Sequence, residues 1–191
     1  MIDIIKNLIR SACQQERRAL PKVDQHIAAT RVCEQIHSLD VYQQAMHIAF
    51  YHAIDGEMEL STLWALADAE GKSCYMPRLH HDKTLAFLPA TPSTPNRTNR
   101  FNIQEPDVPI ALATPPNKLD LMLIPLVAFD ESGTRLGRGA GYYDRTLATI
   151  RPACLLGVAY AFQRQRFIQP APWDVPLTGI VTELGVHWCA P

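Results

Sequence analysis

The most apolar stretch of the chain is LDLMLIPLVA at residues 119–128, and the glycine-rich segment LGRGAGYYDR at residues 136–145 follows it closely. A mostly apolar run of this length is typical of a strand that is buried on both faces of a sheet. Glycines at alternate positions let backbone N–H groups approach an anion, and the arginines of the segment add charge that suits phosphate. We therefore predict a central strand at 119–128 that runs into a phosphate-binding loop, and a helix at 141–150 after it.

Similar patterns predict alternating helices and strands along the rest of the chain. We expect helices at residues 2–18, 22–37 and 60–70, and strands at 45–53, 73–77, 84–88, 154–161 and 179–183. Residues 89–116 are rich in Pro, Thr and Asn and predict a long loop. Strands that alternate with helices indicate an α/β fold with a mainly parallel sheet.

Composition and charge restrict the class of protein. A chain of 191 residues is long enough for one well-buried core, and we expect a single domain over residues 1–191. The formal net charge of −1 argues against a general polyanion binder, so any basic surface must be local. Five scattered cysteines without a CxxC pair fit a reducing compartment, and no apolar run has the length of a membrane span. We expect a cytoplasmic protein that binds neither nucleic acid nor membranes.

The glycine spacing alone leaves two interpretations open. It lacks the GxxxxGK[ST] pattern of a Walker A loop, and its third glycine comes one residue too early for GxGxxG. A phosphate-binding loop and a flexible turn between a strand and a helix are about equally compatible with this spacing. The residues around the glycines must decide between them.

A longer pattern surrounds these glycines. It comprises residues 125–130, Gly133, residues 135–139 and residues 141–145. Further elements of the pattern are Lys6, Arg10, residues 55–57, residues 103–106, residues 173–174 and residues 181–183. Together these residues closely resemble, in the same order along the chain, the signature of the 5-formyltetrahydrofolate cyclo-ligases, also called methenyltetrahydrofolate synthetases.

The resemblance implies an ATP- and Mg²⁺-dependent enzyme that converts 5-formyltetrahydrofolate to 5,10-methenyltetrahydrofolate and releases ADP and phosphate. In the reaction ascribed to this family, ATP phosphorylates the formyl oxygen, N10 attacks the activated carbon, and phosphate leaves. The resemblance also implies a three-layer α/β/α sandwich akin to Rossmann-like folds, and a monomer whose partner is a small-molecule folate.

The resemblance further assigns residues to ATP and Mg²⁺. Lys6 and Arg10 lie four residues apart, hence on one helical face, and are expected to contact ATP. The other implied ATP contacts are Arg135, Leu136, Gly137, Arg138, Gly139, Ala140, Gly141, Tyr142 and Tyr143. Arg138 and Tyr143 are the implied catalytic residues, and Asp144 and Asp174 the implied Mg²⁺ ligands. Ala140 occupies a position where some relatives carry a lysine, so a positive charge that they have is absent at this position.

The implied folate contacts are His52, Glu57, Phe101, Arg138, Gly139, Ala140, Gly141 and Tyr142. A carboxylate at Glu57 could accept hydrogen bonds from the amino-pyrimidinone edge of the pterin. His52 could instead be a histidine satisfied within the protein at a strand end. Phe101 could instead make a small hydrophobic contact under the loop.

Two other classes of function remain to be weighed. One is a paralogue of the family that binds nucleotide or folate without catalysing ring closure. The other is an RNA-binding module that uses Arg10, Arg17 and Arg18 on the first helix, although the near-neutral net charge disfavours it. The adjacent His80 and His81 are expected in a solvated turn between strands rather than in a metal site.

Overall fold

The computed structural model describes residues 2–190, and within that range it contains five α-helices and eleven strands. The helices are α1 (Ile2–Ala19), α2 (Lys22–Ser38), α3 (Asp40–Gln44), α4 (Ser61–Ala69) and α5 (Tyr142–Leu147). The strands are β1 (His47–Ala49), β2 (Ser73–Leu79), β3 (Leu85–Pro89), β4 (Asn96–Thr98), β5 (Gln104–Pro106), β6 (Leu121–Pro125), β7 (Ala128–Phe129), β8 (Arg135–Leu136), β9 (Cys154–Val158), β10 (Gly179–Thr182) and β11 (Gly185–Trp188). The helices predicted at 2–18, 22–37 and 60–70 are confirmed.

A seven-stranded sheet with the order β11-β10-β9-β6-β1-β2-β3 forms the centre of the protein. β1 pairs in parallel with β2 and β6, and β9 pairs in parallel with β6 and β10. The two edge strands, β3 and β11, run antiparallel to their neighbours. The predicted mainly parallel sheet is confirmed, and the apolar run at 119–128 does supply its middle strand, β6.

Helices cover both faces of the sheet. Alternate residues of a strand point to opposite faces, so the partners that pack on β6 show which helices lie on each face. On β6, Leu121 and Leu123 join a buried cluster that includes residues of α2, α3 and α4. Met122 and Ile124 join a second cluster, which includes Leu147 of α5. The expected three-layer α/β/α arrangement is therefore confirmed.

The strand order reverses between β1 and β6. From β1 the chain moves outward through β2 to β3, whereas from β6 it moves in the opposite direction through β9 to β10. Loops that leave the carboxyl ends of two such strands diverge, so a crevice opens between them, and open α/β sheets bind their ligands in this crevice. The topology thus indicates where a functional site should lie.

The segment between β6 and α5 differs from the prediction. β6 ends at Pro125, which has no N–H with which to extend the sheet ladder. A small antiparallel hairpin, β7–β8, then precedes the glycine-rich segment. Asp130 fixes its turn, because Oδ1 accepts hydrogen bonds from the backbone N–H groups of Ser132 (3.0 Å) and Thr134 (3.1 Å). The expectation that the central strand runs directly into the glycines was wrong, and α5 ends at Leu147 rather than at residue 150.

Residues 89–116 contain more structure than the predicted loop. β4 and β5 form an antiparallel hairpin, and short 3-10 turns occupy residues 110–112 and 116–118. The sequence analysis also missed α3 and β11. Elements of three to five residues are too short to produce a recognisable apolar period. Within residues 2–190, no helix has the length and hydropathy needed to cross a membrane.

Candidate active site

A cleft of about 380 Å³ lies where the strand order reverses. From the segment after β1 it is lined by Tyr51, His52, Ile54 and Glu57, and from the end of β6 by Pro125 and Leu126. We call the part bounded by residues 135–144 the glycine-rich end, and the part bounded by residues 51–57 and 99–105 the β1 end. The two ends belong to one continuous cavity.

Open space lies beside the backbone of the glycine-rich end. A Cβ atom placed on Gly137 or Gly139 would meet no atom of residues 2–190 within 4 Å. Gly139 has a φ of +101°, a conformation that favours glycine. Arg10 of α1 reaches this segment directly, because its Nε donates to the carbonyl of Gly137 (2.9 Å). Accessible backbone next to a cation is what an anion-binding loop requires.

The two aspartates predicted as metal ligands lie beside cations of the same end. Asp144 Oδ1 accepts a hydrogen bond from Arg135 Nη2 (2.6 Å), and Asp174 Oδ2 lies 3.8 Å from Lys6 Nζ. The N–H of Val175 also donates to Asp144 Oδ1 (3.4 Å), which brings the two chain segments together. Burial lowers the pKa of Arg135, and the charges of both aspartates act in the opposite direction.

This pair of carboxylates fits Mg²⁺ only if other oxygen ligands complete its coordination. In the part of the chain that the structure describes, no group of three or more His, Cys, Asp or Glu side chains could hold a metal ion. Mg²⁺ commonly binds through one or two carboxylates together with substrate phosphates and water. Asp144 and Asp174 therefore fit an ion that arrives with a nucleotide.

Arg138 connects the two ends of the cleft. Its Nη2 donates to Asp55 Oδ2 (2.7 Å), which also accepts a hydrogen bond from Arg18 (3.2 Å). Burial would raise the pKa of Asp55, but these two arginines outweigh it and hold the pKa below its ordinary value. The Arg138 side chain is 42% exposed and lines the cleft, so a ligand there can reach its guanidinium.

Glu57 is the buried carboxylate of the β1 end. Its Oε2 accepts a hydrogen bond from the N–H of Ile54 (3.2 Å), and its Oε1 lies 3.8 Å from Arg17 Nη2. Burial raises the pKa of Glu57 to about 7, although Arg17 and the Ile54 N–H act in the opposite direction. Glu57 therefore exchanges between its neutral and charged forms near neutral pH.

His52 presents an unpaired polar atom at the β1 end. Its Nε2 is buried and has no hydrogen-bond partner among the described residues. The ring meets Trp64 edge-on, with 5.8 Å between centroids, and burial lowers the pKa of the imidazole. Nε2 is therefore not satisfied by the described residues, and His52 is one of the residues that line the cleft.

Phe101 lies at the rim of the cleft, where 51% of it is exposed. Its ring meets Tyr142 edge-on at 6.3 Å, and the guanidinium of Arg100 lies 5.0 Å above it. Arg100 also donates to the hydroxyl of Tyr142 (2.9 Å). Because Phe101 is exposed, the alternative of a small hydrophobic contact under the loop is not supported.

The sequence analysis gave no role to two residues, Asn99 and Glu105, that hold the Phe101 loop in place. Glu105 Oε1 accepts hydrogen bonds from Asn99 Nδ2 and from the N–H of Leu79, both at 2.8 Å. Asn99 Oδ1 accepts from the N–H groups of Phe101 (2.8 Å) and Ile103 (3.1 Å). The available signal was a carboxylate in the matched segment 103–106, but its burial at 3% exposure cannot be read from sequence.

Most of the predicted site residues line this cleft, whereas five do not line it: Lys6, Arg10, Leu136, Gly139 and Asp174. The side chain of Leu136 is buried against Cys13 of α1, so only its backbone can contact a ligand. Tyr143 is half-buried and packs against the second core cluster. Burial raises the pKa of its hydroxyl well above the ordinary value, so this group stays neutral and can donate a hydrogen bond.

The three arginines of α1 that an RNA-binding face would use make contacts within the protein. Arg17 is 1% exposed, Arg18 pairs with Asp55, and Arg10 donates to Gly137. RNA binding of the usual kind requires accessible cations next to exposed aromatic side chains. The structure therefore does not support the RNA-binding alternative. His80 and His81 lie in the turn between β2 and β3, as predicted, and His80 pairs with Asp82 there.

Comparison with known proteins identifies the relatives of this chain. The 5-formyltetrahydrofolate cyclo-ligase family model matches residues 4–183. The 5-formyltetrahydrofolate cyclo-ligase of Haemophilus influenzae is 37% identical over 177 residues, which cover 91% of this chain and 95% of that protein. The enzyme of the same name from Escherichia coli K12 is 34% identical over 174 residues, which cover 88% of this chain and 95% of that protein. The solved structure of 5,10-methenyltetrahydrofolate synthetase from Aquifex aeolicus superposes with a TM-score of 0.86 at 28% identity, and covers 98% of this chain and 94% of that one.

Fold and cleft define an α/β protein in which an open glycine-rich segment and a buried carboxylate share the crevice of a doubly wound sheet. The chain belongs to the 5-formyltetrahydrofolate cyclo-ligase family. The resemblance seen in the sequence and the expectation of a cyclo-ligase enzyme are both confirmed.

Proposed function

We propose that this protein converts 5-formyltetrahydrofolate to 5,10-methenyltetrahydrofolate with ATP and Mg²⁺, and releases ADP and phosphate. The observation that carries the proposal is the single cleft between β1 and β6. One end offers cations and open glycine backbone, and the other offers a buried carboxylate beside aromatic side chains. Two substrates of different chemistry would meet in this cavity, with Arg138 between them.

The glycine-rich end would bind the triphosphate of ATP. Arg10 and Arg135 supply guanidinium groups, Lys6 an ammonium group, and residues 137–141 backbone N–H groups. In the structure these cations contact Gly137, Asp144 and Asp174. Mg²⁺ held by the two aspartates and by phosphate oxygens would neutralise charge on the phosphates. Each cation would then exchange a contact within the protein for a phosphate oxygen.

The β1 end would bind the folate. Ionised Glu57 would accept hydrogen bonds from the amino-pyrimidinone edge of the pterin, and His52 Nε2 would supply a further polar contact. Phe101 and Tyr142 would pack against the aromatic part of the substrate, since both lie at the rim with rings in edge contact.

The chemistry requires activation because a formamide oxygen is a poor leaving group. The formyl oxygen bonds to the γ-phosphorus as the bond from that phosphorus to ADP breaks. N10 then bonds to the formyl carbon and loses its proton, and the carbon–oxygen bond breaks as phosphate leaves. Arg138 would neutralise charge on the transferred group, and the neutral Tyr143 hydroxyl would donate a hydrogen bond to it.

The test is formation of the methenyl product, followed by its absorbance, with purified protein, 5-formyltetrahydrofolate, ATP and Mg²⁺. We expect product only when all three are present, together with one ADP per product. Binding of ATP and folate without product would support the non-catalytic paralogue instead.

The Mg²⁺ role has its own test in the variants Asp144→Ala and Asp144→Asn. Both should lose most Mg²⁺-dependent turnover, because one of the two carboxylates is removed. Asp68→Asn is the matched control, since Asp68 is an exposed residue of α4 that does not line the cleft. Circular dichroism checks the fold, because Asp144→Ala also leaves buried Arg135 without its carboxylate partner. Turnover with unchanged Mg²⁺ dependence in a folded Asp144 variant would remove this residue from the metal site.

A further inference from the structure

Arg17 of α1 has the charged side chain with the deepest burial in the structure, with 1% of the residue exposed. Its Nε donates to the carbonyl of Asp55 (2.9 Å), and its Nη1 donates to the carbonyl of Leu126 (3.3 Å). Nη2 has no hydrogen-bond partner within residues 2–190, and lies 3.8 Å from Glu57 Oε1. Arg17 therefore ties α1 to the segments that follow β1 and β6.

A buried ion pair of this kind is weak evidence for added stability. Taking a guanidinium and a carboxylate out of water has a large desolvation penalty, which their attraction offsets only in part, and an apolar pair of similar volume is often as stable. The nearest oxygen is also too far from Nη2 for a hydrogen bond. A role beyond stability would explain why a charge is placed there.

The two backbone contacts of Arg17 suggest what that role is. Asp55 and Leu126 belong to the two segments that form the walls of the cleft, and Gly56 packs on Arg17 so closely that an added Cβ would meet the Arg17 carbonyl oxygen at 3.1 Å. This close contact fixes the turn that carries Glu57 against α1. Gly56 also has a φ of +74°, a conformation that favours glycine. Arg17 holds the backbone of this turn and places a positive charge next to its carboxylate.

Glu57 is surrounded by a small set of titratable and charged groups. They are Arg17 on α1, Asp55 in the same turn, Arg138 in the glycine-rich segment, Tyr51 after β1 and Tyr143 on α5. The two tyrosines are neutral because burial raises the pKa of each hydroxyl. Asp55 disfavours ionisation of Glu57, and Arg138 is partly occupied with Asp55. Arg17 is therefore the main group that stabilises the charged form of Glu57.

We propose that Arg17 is a positioning residue for Glu57: its buried guanidinium orients the carboxylate at the cleft and keeps it in the charged form that accepts hydrogen bonds from the substrate. This inference rests on the proposed function, in which Glu57 binds the pterin edge. Without Arg17 the carboxyl group would carry a proton at neutral pH, and would then lose acceptor capacity toward the two donors of that edge. Arg17 itself would not touch the substrate.

The test is the pH dependence of kcat/KM for 5-formyltetrahydrofolate between pH 5.5 and 9, at saturating ATP and Mg²⁺. In the unaltered protein we expect kcat/KM to fall on the acid side, because protonation of Glu57 weakens folate binding. Arg17→Met retains most of the apolar stem and removes the charge. We expect it to move the acid limb upward by about one pH unit or more, and thus to lower kcat/KM about fivefold or more at pH 7 through KM for the folate, since the ionised fraction of Glu57 falls from about one half to about one eleventh. KM for ATP should stay unchanged.

Three further variants make the outcome decisive. Arg18→Met removes the same charge from the next residue of α1, which pairs with Asp55 rather than with Glu57, so the acid limb should stay in place. Arg17→Lys keeps the charge and should restore the limb most of the way toward its original pH. Glu57→Gln should lower folate affinity and abolish the limb.

The outcomes separate the two proposals. If Glu57→Gln leaves folate affinity and the acid limb intact, the folate role of Glu57 under the proposed function is wrong. If Glu57→Gln abolishes the limb and folded Arg17→Met leaves it in place, only the role of Arg17 is overturned. Should Arg17→Met not fold, carbon-13 NMR titration of the Glu57 carboxyl in the unaltered protein and in Arg17→Lys decides the matter. A carboxyl that stays protonated above pH 8 in the unaltered protein contradicts the proposal.

Discussion

The buried carboxyl group of Glu57 makes the stability of the fold itself dependent on pH. Its pKa is about 7 in the folded protein, against an ordinary value of 4.5, because burial favours the neutral form. A folded state with the higher pKa binds the proton more tightly than the unfolded chain does. This group therefore contributes stability that is fully present below about pH 4.5 and is lost as the pH rises through about 7.

The size of the effect follows from the difference between the two pKa values, which is about 2.5. At about 1.36 kcal/mol for each pH unit of difference, Glu57 should lower the free energy of unfolding by roughly 3 kcal/mol between pH 4.5 and pH 8. This is a large part of the total for a typical domain, which is about 5–15 kcal/mol. The group is 7% exposed, so water screens it little.

Urea unfolding at half-unit steps from pH 4.5 to 8.5 measures this effect, with Glu57→Gln as the control. The variant keeps the shape of the side chain but cannot titrate, so its profile retains the contribution of the seven histidines and loses only that of Glu57. Its absolute stability will differ because Arg17 then faces a neutral group, but that offset does not vary with pH in this range. The free energy of unfolding of the unaltered protein minus that of Glu57→Gln should decline as the pH rises, most steeply between pH 4.5 and 7. Parallel profiles, or a difference that grows toward low pH, would refute the reasoning.

Two further substitutions test the fold and the β1 end. Gly133→Ala should lower the free energy of unfolding by about 3 kcal/mol in urea unfolding, since φ is +85° and the new Cβ would lie 2.9 Å from the carbonyl oxygen of Leu177. Gly71→Ala has a similar φ of +78° but no neighbour within 4 Å among the described residues, so a loss as large there would argue against crowding as the cause. Asn99→Ala should raise KM for the folate about tenfold with little change in KM for ATP, because the Phe101 loop loses its hydrogen bonds to that side chain. Steady-state kinetics measures both constants, and Asn96→Ala on exposed β4 is the control. An equal rise in both constants would indicate that the substitution disturbs the whole site rather than the Phe101 loop.

The central part of the fold could be predicted because its signal is local. The apolar run at 119–128 and the alternation of strands with helices are properties of neighbouring residues, and they indicated β6 and the parallel sheet. The β7–β8 hairpin was missed because each of its strands has only two residues, and because a long-range contact adds to the local hydrogen bonds of its turn. Asp130 Oδ2 accepts a hydrogen bond from the N–H of Ile168, 38 residues further along the chain. No apolar period reports such a contact.

The candidate site also has one part that the sequence predicts and another that only the tertiary structure reveals. Lys6, Arg10 and the glycine-rich segment could be grouped because the sequence pattern around them is specific. Arg17 lies in the charged run QQERRA, which favours a solvated helix face, and only the tertiary structure reveals its burial. His52 was equally ambiguous, because whether Nε2 has a partner depends on residues that the chain brings together from several elements.

The contacts of α1 fix a distance within the molecule. Lys6 lies near Asp174, Arg10 donates to Gly137, and Arg17 lies near Glu57. The first and last of these cations are 11 positions apart, which corresponds to about 16 Å along an α-helix. Helix α1 therefore supplies positive charge to both ends of the cleft at a fixed separation. Any displacement of α1 along its axis would move the three cations together, so the two ends would be perturbed at the same time.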